Sequence, residues 1–201
     1  MNSRFPQFAA RATRCALAVA LLALGPGACS SGTSVAELQI VQTAVIDFGA
    51  LEGDRPSLTA DGALPFDLRE EADWVRLHPG FRCVALDTTH SAVVVSRLLS
   101  PGLDTMLTLQ VDVMPRGGVT WKPLIELNGT VADGASISWS DPSVTIFPDG
   151  VDLLEAIALS LNPGYELRVT GEVPTAVDDL VINLLLELDF STLADGCPHA
   201  R

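Results

Sequence analysis

Between residues 104 and 114 the chain alternates with a period of two. Leu107, Leu109, Val111 and Val113 share one phase, and Thr108, Gln110 and Asp112 share the other. Successive side chains of an extended strand point to opposite faces, so this run buries one face of a sheet and wets the other. The pattern returns over residues 180–190. There Leu180, Ile182, Leu184, Leu186, Leu188 and Phe190 occupy the even positions, with Asn183, Glu187 and Asp189 among the odd ones. A helix starting at Thr175, with Asp178 three residues on, is the alternative, but the period of two outweighs it. Two such strands demand partners, and the rest of the chain supplies them in short pieces.

Residues 37–49 are β-branched and semi-alternating, and read as a first strand. Residues 50–73 carry turn formers and acids and read as the longest loop. Residues 74–77 and 81–86 read as two strands separated by Pro79-Gly80. Residues 91–99 are apolar in both phases, as in a central strand covered on both sides. Residues 121–127 form another strand, whose Pro123 points to an edge position, and Asn128-Gly129 reads as a two-residue hairpin. Ile137 and Trp139, Val144 and Ile146, and residues 165–170 add short strands. Residues 152–161 have helical spacing, with Leu153, Ile157 and Leu161 on one face and Asp152 three before Glu155; a buried strand is the alternative there. The pattern as a whole predicts a mainly β chain: a two-sheet antiparallel β-sandwich of eight or nine strands with at most one short helix, forming one domain over residues 36–201.

The first residues are of another kind. Arg4, Arg11 and Arg14 stand without an acid before the ten apolar residues 15–24. Gly25-Pro26-Gly27-Ala28 and Cys29 follow. A positive start, a short apolar core and small residues before a cut make a secretory signal. The apolar run is shorter than the about 20 residues that span a bilayer. Gly27, Ala28 and Cys29 make this segment resemble a bacterial lipoprotein signal, whose lipobox ends in the cysteine to be lipidated. Pro26 stands where that family usually carries an aliphatic residue. The resemblance implies removal of residues 1–28, acyl chains on Cys29 and, with Ser30 after the cysteine, delivery to the outer membrane; residues 29–35, small and polar, read as a short tether. Acyl chains bury about 0.8 kcal/mol per CH₂, so two or more give a stable anchor. Ordinary secretion with cleavage near Ala28, and an uncleaved anchor, are the competing readings. Cysteine parity favours lipidation. Without Cys15 the chain keeps Cys29, Cys83 and Cys197, and lipidating Cys29 leaves Cys83 and Cys197 as one disulfide pair in an oxidising compartment.

After residue 28 the chain holds nine basic side chains against twenty-five acids, a net charge of −16, with Lys122 its only lysine. Such a surface repels phosphate backbones and anionic headgroups and argues against a nucleic-acid partner. Motifs for chemistry are lacking: there is no Gly-x-Ser-x-Gly, His-Glu-x-x-His, Cys-x-x-Cys or phosphate-binding glycine loop. His78, His90 and His199 are scattered. Asp87, His90 and Ser91 can be drawn as a triad, but five consecutive residues of a turn rarely give that geometry, and polar loop residues are the better account. Turn-associated acids (Asp133, Asp141, Asp149 and Asp152, or Glu70, Glu71 and Asp73) offer oxygen ligands for Ca²⁺, without the spacing of a known calcium loop. The Asn128-Gly-Thr sequon reads as its turn. No catalytic residue, metal ligand or cofactor is therefore assigned. The expectation is an outer-membrane-anchored lipoprotein with a non-enzymatic binding, adhesion or structural module, its partners the membrane through the anchor and an envelope protein or glycan. A carrier of apolar ligands and an envelope hydrolase are the alternatives.

Overall fold

The computed structural model describes residues 37–60, 63–99 and 104–193. They form two antiparallel sheets. The first holds β1 (Glu37–Leu51), β4 (Cys83–Leu86), β5 (Ala92–Leu99), β8 (Ser136–Ser138) and β11 (Val177–Ser191). Its order is β1-β11-β5-β8, with β4 continuing beside β11 past the end of β5. The second holds β2 (Ser57–Thr59), β3 (Leu64–Asp67), β6 (Asp104–Pro115), β7 (Lys122–Ala132), β9 (Val144–Ile146) and β10 (Gly164–Glu172), in the order β2-β10-β6-β7-β9 with β3 also on β10. Two helices, α1 (Ala72–Leu77) and α2 (Pro148–Ala158), complete the described elements, with single 3₁₀ turns on either side of α1. Among the described residues no helix is long and apolar enough to cross a membrane.

The alternating runs behave as their chemistry requires. Leu107, Leu109, Val111 and Val113 of β6 and the six even apolar residues of β11 are all buried, in one cluster that draws on both sheets and on α2. A hydrogen bond also links the two sheets: the Tyr165 hydroxyl of β10 donates to Gln42 Oε1 of β1. The polar phase of β6 is less wet than its composition suggests. Asp112 is buried, because Arg168 Nη2 and Nε lie 2.6 and 3.0 Å from its Oδ2. The same guanidinium lies over the Trp121 ring, 4.8 Å from the centroid.

Several expectations are corrected. The described strands number eleven, and there are two helices. The stretch 50–73 contains β2 and β3, both paired with β10. Residues 74–77 are helical. Four residues cannot distinguish the two periods: Val75 and Leu77 share a strand phase, while Trp74 and Leu77 lie one helical turn apart. Asp73 in the first turn and Arg76 in the last complement the helix dipole and meet at 2.8 Å. The double apolar phase of residues 91–99 comes from a bulge. Val93, Val95 and Leu98 oppose Leu184, Ile182 and Leu180, and the register shift between Val95 and Arg97 turns Leu98 back to the buried face.

Asn128-Gly129 is not a hairpin turn; both residues lie within β7, opposite Thr108 and Leu107. A Cβ on Gly129 would come within 3.1 Å of the Ser143 Cβ, so close approach of the chain before β9 accounts for this glycine. The reversal comes later, at Gly134 with φ +73°. β7 is not an edge strand, since it lies between β6 and β9. β9 spans only Ile125 to Leu127, however, so Pro123 falls beyond it, at a register shift opposite Asp112. The helix expected over 152–161 begins four residues earlier, with Pro148 at its first position rather than Asp152 as its cap.

Candidate functional site

Among the described residues a dense polar grouping lies where β4 turns into β5. The Asp87 backbone N–H donates to the Glu187 carbonyl of β11 at 2.9 Å, which pins the turn to the neighbouring strand. Asp87 Oδ1 then accepts from the N–H groups of Thr89 (2.8 Å) and His90 (3.1 Å), closing a local turn of the kind aspartate favours. Its Oδ2 is left facing His90 Nδ1 at 2.7 Å. From the other side Ser138 Oγ donates to the carbonyls of Thr88 (3.1 Å) and Thr89 (2.9 Å), and Trp139 N–H donates to the Ser91 carbonyl. Neighbours on both sides therefore hold the turn.

Two of the three triad candidates meet. Asp87 and His90 are hydrogen-bonded, and with a carboxylate as partner Nδ1 carries the hydrogen. Ser91 stands apart: it is 0% exposed, and its Oγ accepts from the Glu187 N–H at 3.0 Å. It anchors the turn to β11 and presents no nucleophile. The third member of the cluster is Glu187, whose Oε1 lies 3.7 Å from His90 Nδ1. Asp87 is 2% and Glu187 8% exposed, whereas the His90 side chain is 65% exposed, so two buried carboxylates sit under an open imidazole. Gln39 Nε2 of β1 donates to Glu187 Oε1 and, at 3.3 Å, to Asp189 Oδ1.

The charges reinforce one another. The Asp87 hydrogen bond, then the Asp87 and Glu187 charges and the more distant Asp189, raise the His90 pKa above its ordinary value. Burial pushes the Asp87 carboxyl upward, but the His90 hydrogen bond, the two backbone N–H groups and the imidazolium charge together bring it below the usual carboxylate value.

One oxygen each from Asp87 and Glu187 and a His90 nitrogen lie within 4.8 Å of one another, the one group of three such donors among the described residues. The acids considered for Ca²⁺ are not gathered with it. Asp133 Oδ1 accepts from the Leu98 N–H at 2.7 Å, Asp141 Oδ1 from Ser143 N–H and Oγ at 2.8 and 2.7 Å, and Asp149 faces Lys122 at 3.5 Å. Asp73 pairs with Arg76. Burial, with the charges of Glu70 and Asp73, raises the pKa of Glu71. His78 stacks on Trp74 at 4.0 Å, with its Nε2 3.3 Å from the Leu159 carbonyl, and is not a member of the cluster. Cys83 opens β4 and is not a free thiol but a disulfide-bonded cysteine. Cys29, Cys197 and His199 lie outside the described residues.

Glu187 escaped sequence reasoning. It stands a hundred residues from Asp87 and in the phase of β11 that alternation marks as wet, and only the pairing of β4 beside β11 brings the two together. No family model matches this chain, and none of the curated proteins matches it.

Proposed function

We propose that this chain is an outer-membrane-anchored lipoprotein whose residues 36–201 form one two-sheet β-sandwich acting as a non-enzymatic binding, adhesion or structural module of the cell envelope. The signal-like residues 4–28 and Cys29 support the anchor. The buried cluster shared by both sheets, and the Tyr165–Gln42 bond across it, support face-to-face packing of the sheets. The observation that carries the non-enzymatic reading is Ser91. The Ser91 hydroxyl, the one the triad reading would use, is buried and already bonded to the β11 backbone, so it is not a nucleophile for the pair to activate. A bridge between Cys83 and Cys197 belongs to the same reading. Cys83 lies opposite Ser191 in the β4–β11 register, and Cys197 follows Ser191 by six residues, which is ample reach.

Expression of the full chain with Cys29→Ser tests the anchor. The native chain is expected to incorporate radiolabelled palmitate and to sediment with membranes; the variant is expected to lose both the label and sedimentation after a high-salt wash. Membrane association that survives the substitution would refute the lipid anchor. Palmitate incorporation by the variant would refute Cys29 as its site.

A further inference from the structure

We propose that Asp87, His90 and Glu187 bind one divalent transition-metal ion of the zinc class. The site is independent of the anchor and adds to the envelope module a ligand that its composition does not announce.

Geometry carries the argument. Zinc bonds to imidazole nitrogen and carboxylate oxygen at roughly 2.0–2.2 Å, so neighbouring ligand atoms around a tetrahedral ion stand roughly 3.3 Å apart. Here His90 Nδ1 lies 2.7 Å from Asp87 Oδ2 and 3.7 Å from Glu187 Oε1, which brackets that spacing. The three atoms converge on the place now held by the Nδ1 hydrogen. Loading the site exchanges that proton, released to solvent, for the ion. The Asp87 oxygen to be used is Oδ2; Oδ1 keeps its two backbone N–H donors and holds the carboxylate in orientation.

The support around the ligands is of the kind metal sites need. Ser91 Oγ fixes the backbone of Glu187, Gln39 steadies its carboxylate, and the Asp87 N–H ties the turn to the same strand. Two ligands therefore sit on one pinned unit with short adjustments to make. The exposed imidazole leaves the outer side open, where water or a donor from a partner completes the coordination. One nitrogen and two oxygens suit zinc and its d-block neighbours. Calcium takes six to eight oxygens, which this corner does not assemble.

Isothermal titration of the full chain in detergent, stripped with EDTA and dialysed, tests the site with ZnCl₂ and, in parallel, CaCl₂. The expected result is one Zn²⁺ per chain with a Kd in the micromolar range or tighter, and no heat from millimolar Ca²⁺. His90→Gln and Glu187→Gln are each expected to weaken zinc at least tenfold, and His78→Gln to leave it unchanged. Circular dichroism matching the native chain establishes that the variants fold. Co²⁺ gives a second readout, a visible absorption band that His90→Gln removes. Absence of saturable zinc uptake, uptake that survives His90→Gln with unchanged affinity, or calcium binding lost in the same variants would each overturn the proposal.

Discussion

The hydrogen bond between Tyr165 and Gln42 offers a sharp test of how the two sheets hold each other. Tyr165 is fully buried on β10 and stacks on Phe66 at 5.2 Å; Gln42 is buried on β1. Burial raises the phenol pKa, so the hydroxyl stays a neutral donor at neutral pH. Tyr165→Phe removes the donor and keeps the ring, leaving a buried amide oxygen without its partner. Gln42→Leu does the reverse to the phenol. Each orphaned group costs about 1–3 kcal/mol, whereas replacing both partners by apolar groups of similar shape is close to neutral. The double variant is therefore expected to be more stable than either single one, with a coupling that approaches the sum of the two single costs, about 2 kcal/mol or more. In a body of this size each kcal/mol moves the melting temperature by about 2–4 °C. Guanidinium unfolding of the four proteins, at equal denaturant slopes, measures the cycle. Strictly additive single effects would refute it, because the two groups would then not depend on each other across the sheets.

The remaining predictions concern a helix contact and the thiols. In an exposed helix, Gly→Ala gains about 1 kcal/mol. At Gly150 of α2, however, a Cβ would stand 2.0 Å from the Pro123 carbonyl oxygen and 2.8 Å from the Leu124 Cα. Gly150→Ala is expected to destabilise by about 2 kcal/mol, the cost of forcing backbone from backbone, and to lower the melting temperature; a rise would refute the contact. The lipidated chain, extracted in detergent and unfolded without reductant, is expected to show no free thiol by titration and two after reduction. Two free thiols before reduction would exclude the Cys83–Cys197 bridge.

Much of the fold was legible because burial on one face imposes a period that sequence displays. β6 and β11 each sit inside a sheet with a buried face, and their apolar phases survive intact. Legibility failed where the period was broken or too short to measure. The bulge in β5 moves Leu98 into the phase opposite Val93 and Val95, and the pattern then mimics a strand covered on both faces. Residues 74–77 are too few to separate one period from another. Asn128-Gly129 failed for a different reason. Turn chemistry is local, but at that point the strand pairing of β7 with β6, and the crowding by Ser143, override it.

The candidate site marks the firmest limit. Asp87 and His90 were visible because the whole turn is local: an aspartate accepting from the N–H groups two and three residues on, the second of them the histidine's own. What made Ser91 look catalytic was the same closeness, and in the fold that closeness spends the serine on β11. Glu187 could not be reached by either route. An acid in the polar phase of a strand is read as wet, yet in both sheets a polar-phase acid is buried by what lies across from it. Arg168 covers Asp112, while the turn at Asp87 and the side chain of Gln39 cover Glu187. Alternation reports which face a side chain takes and says nothing of what neighbouring strands place on that face. Polar side chains buried on the outer face of a sheet are therefore where strand pairing, rather than periodicity, assembles chemistry, and the grouping of His90 with Asp87 and Glu187 arises in that way.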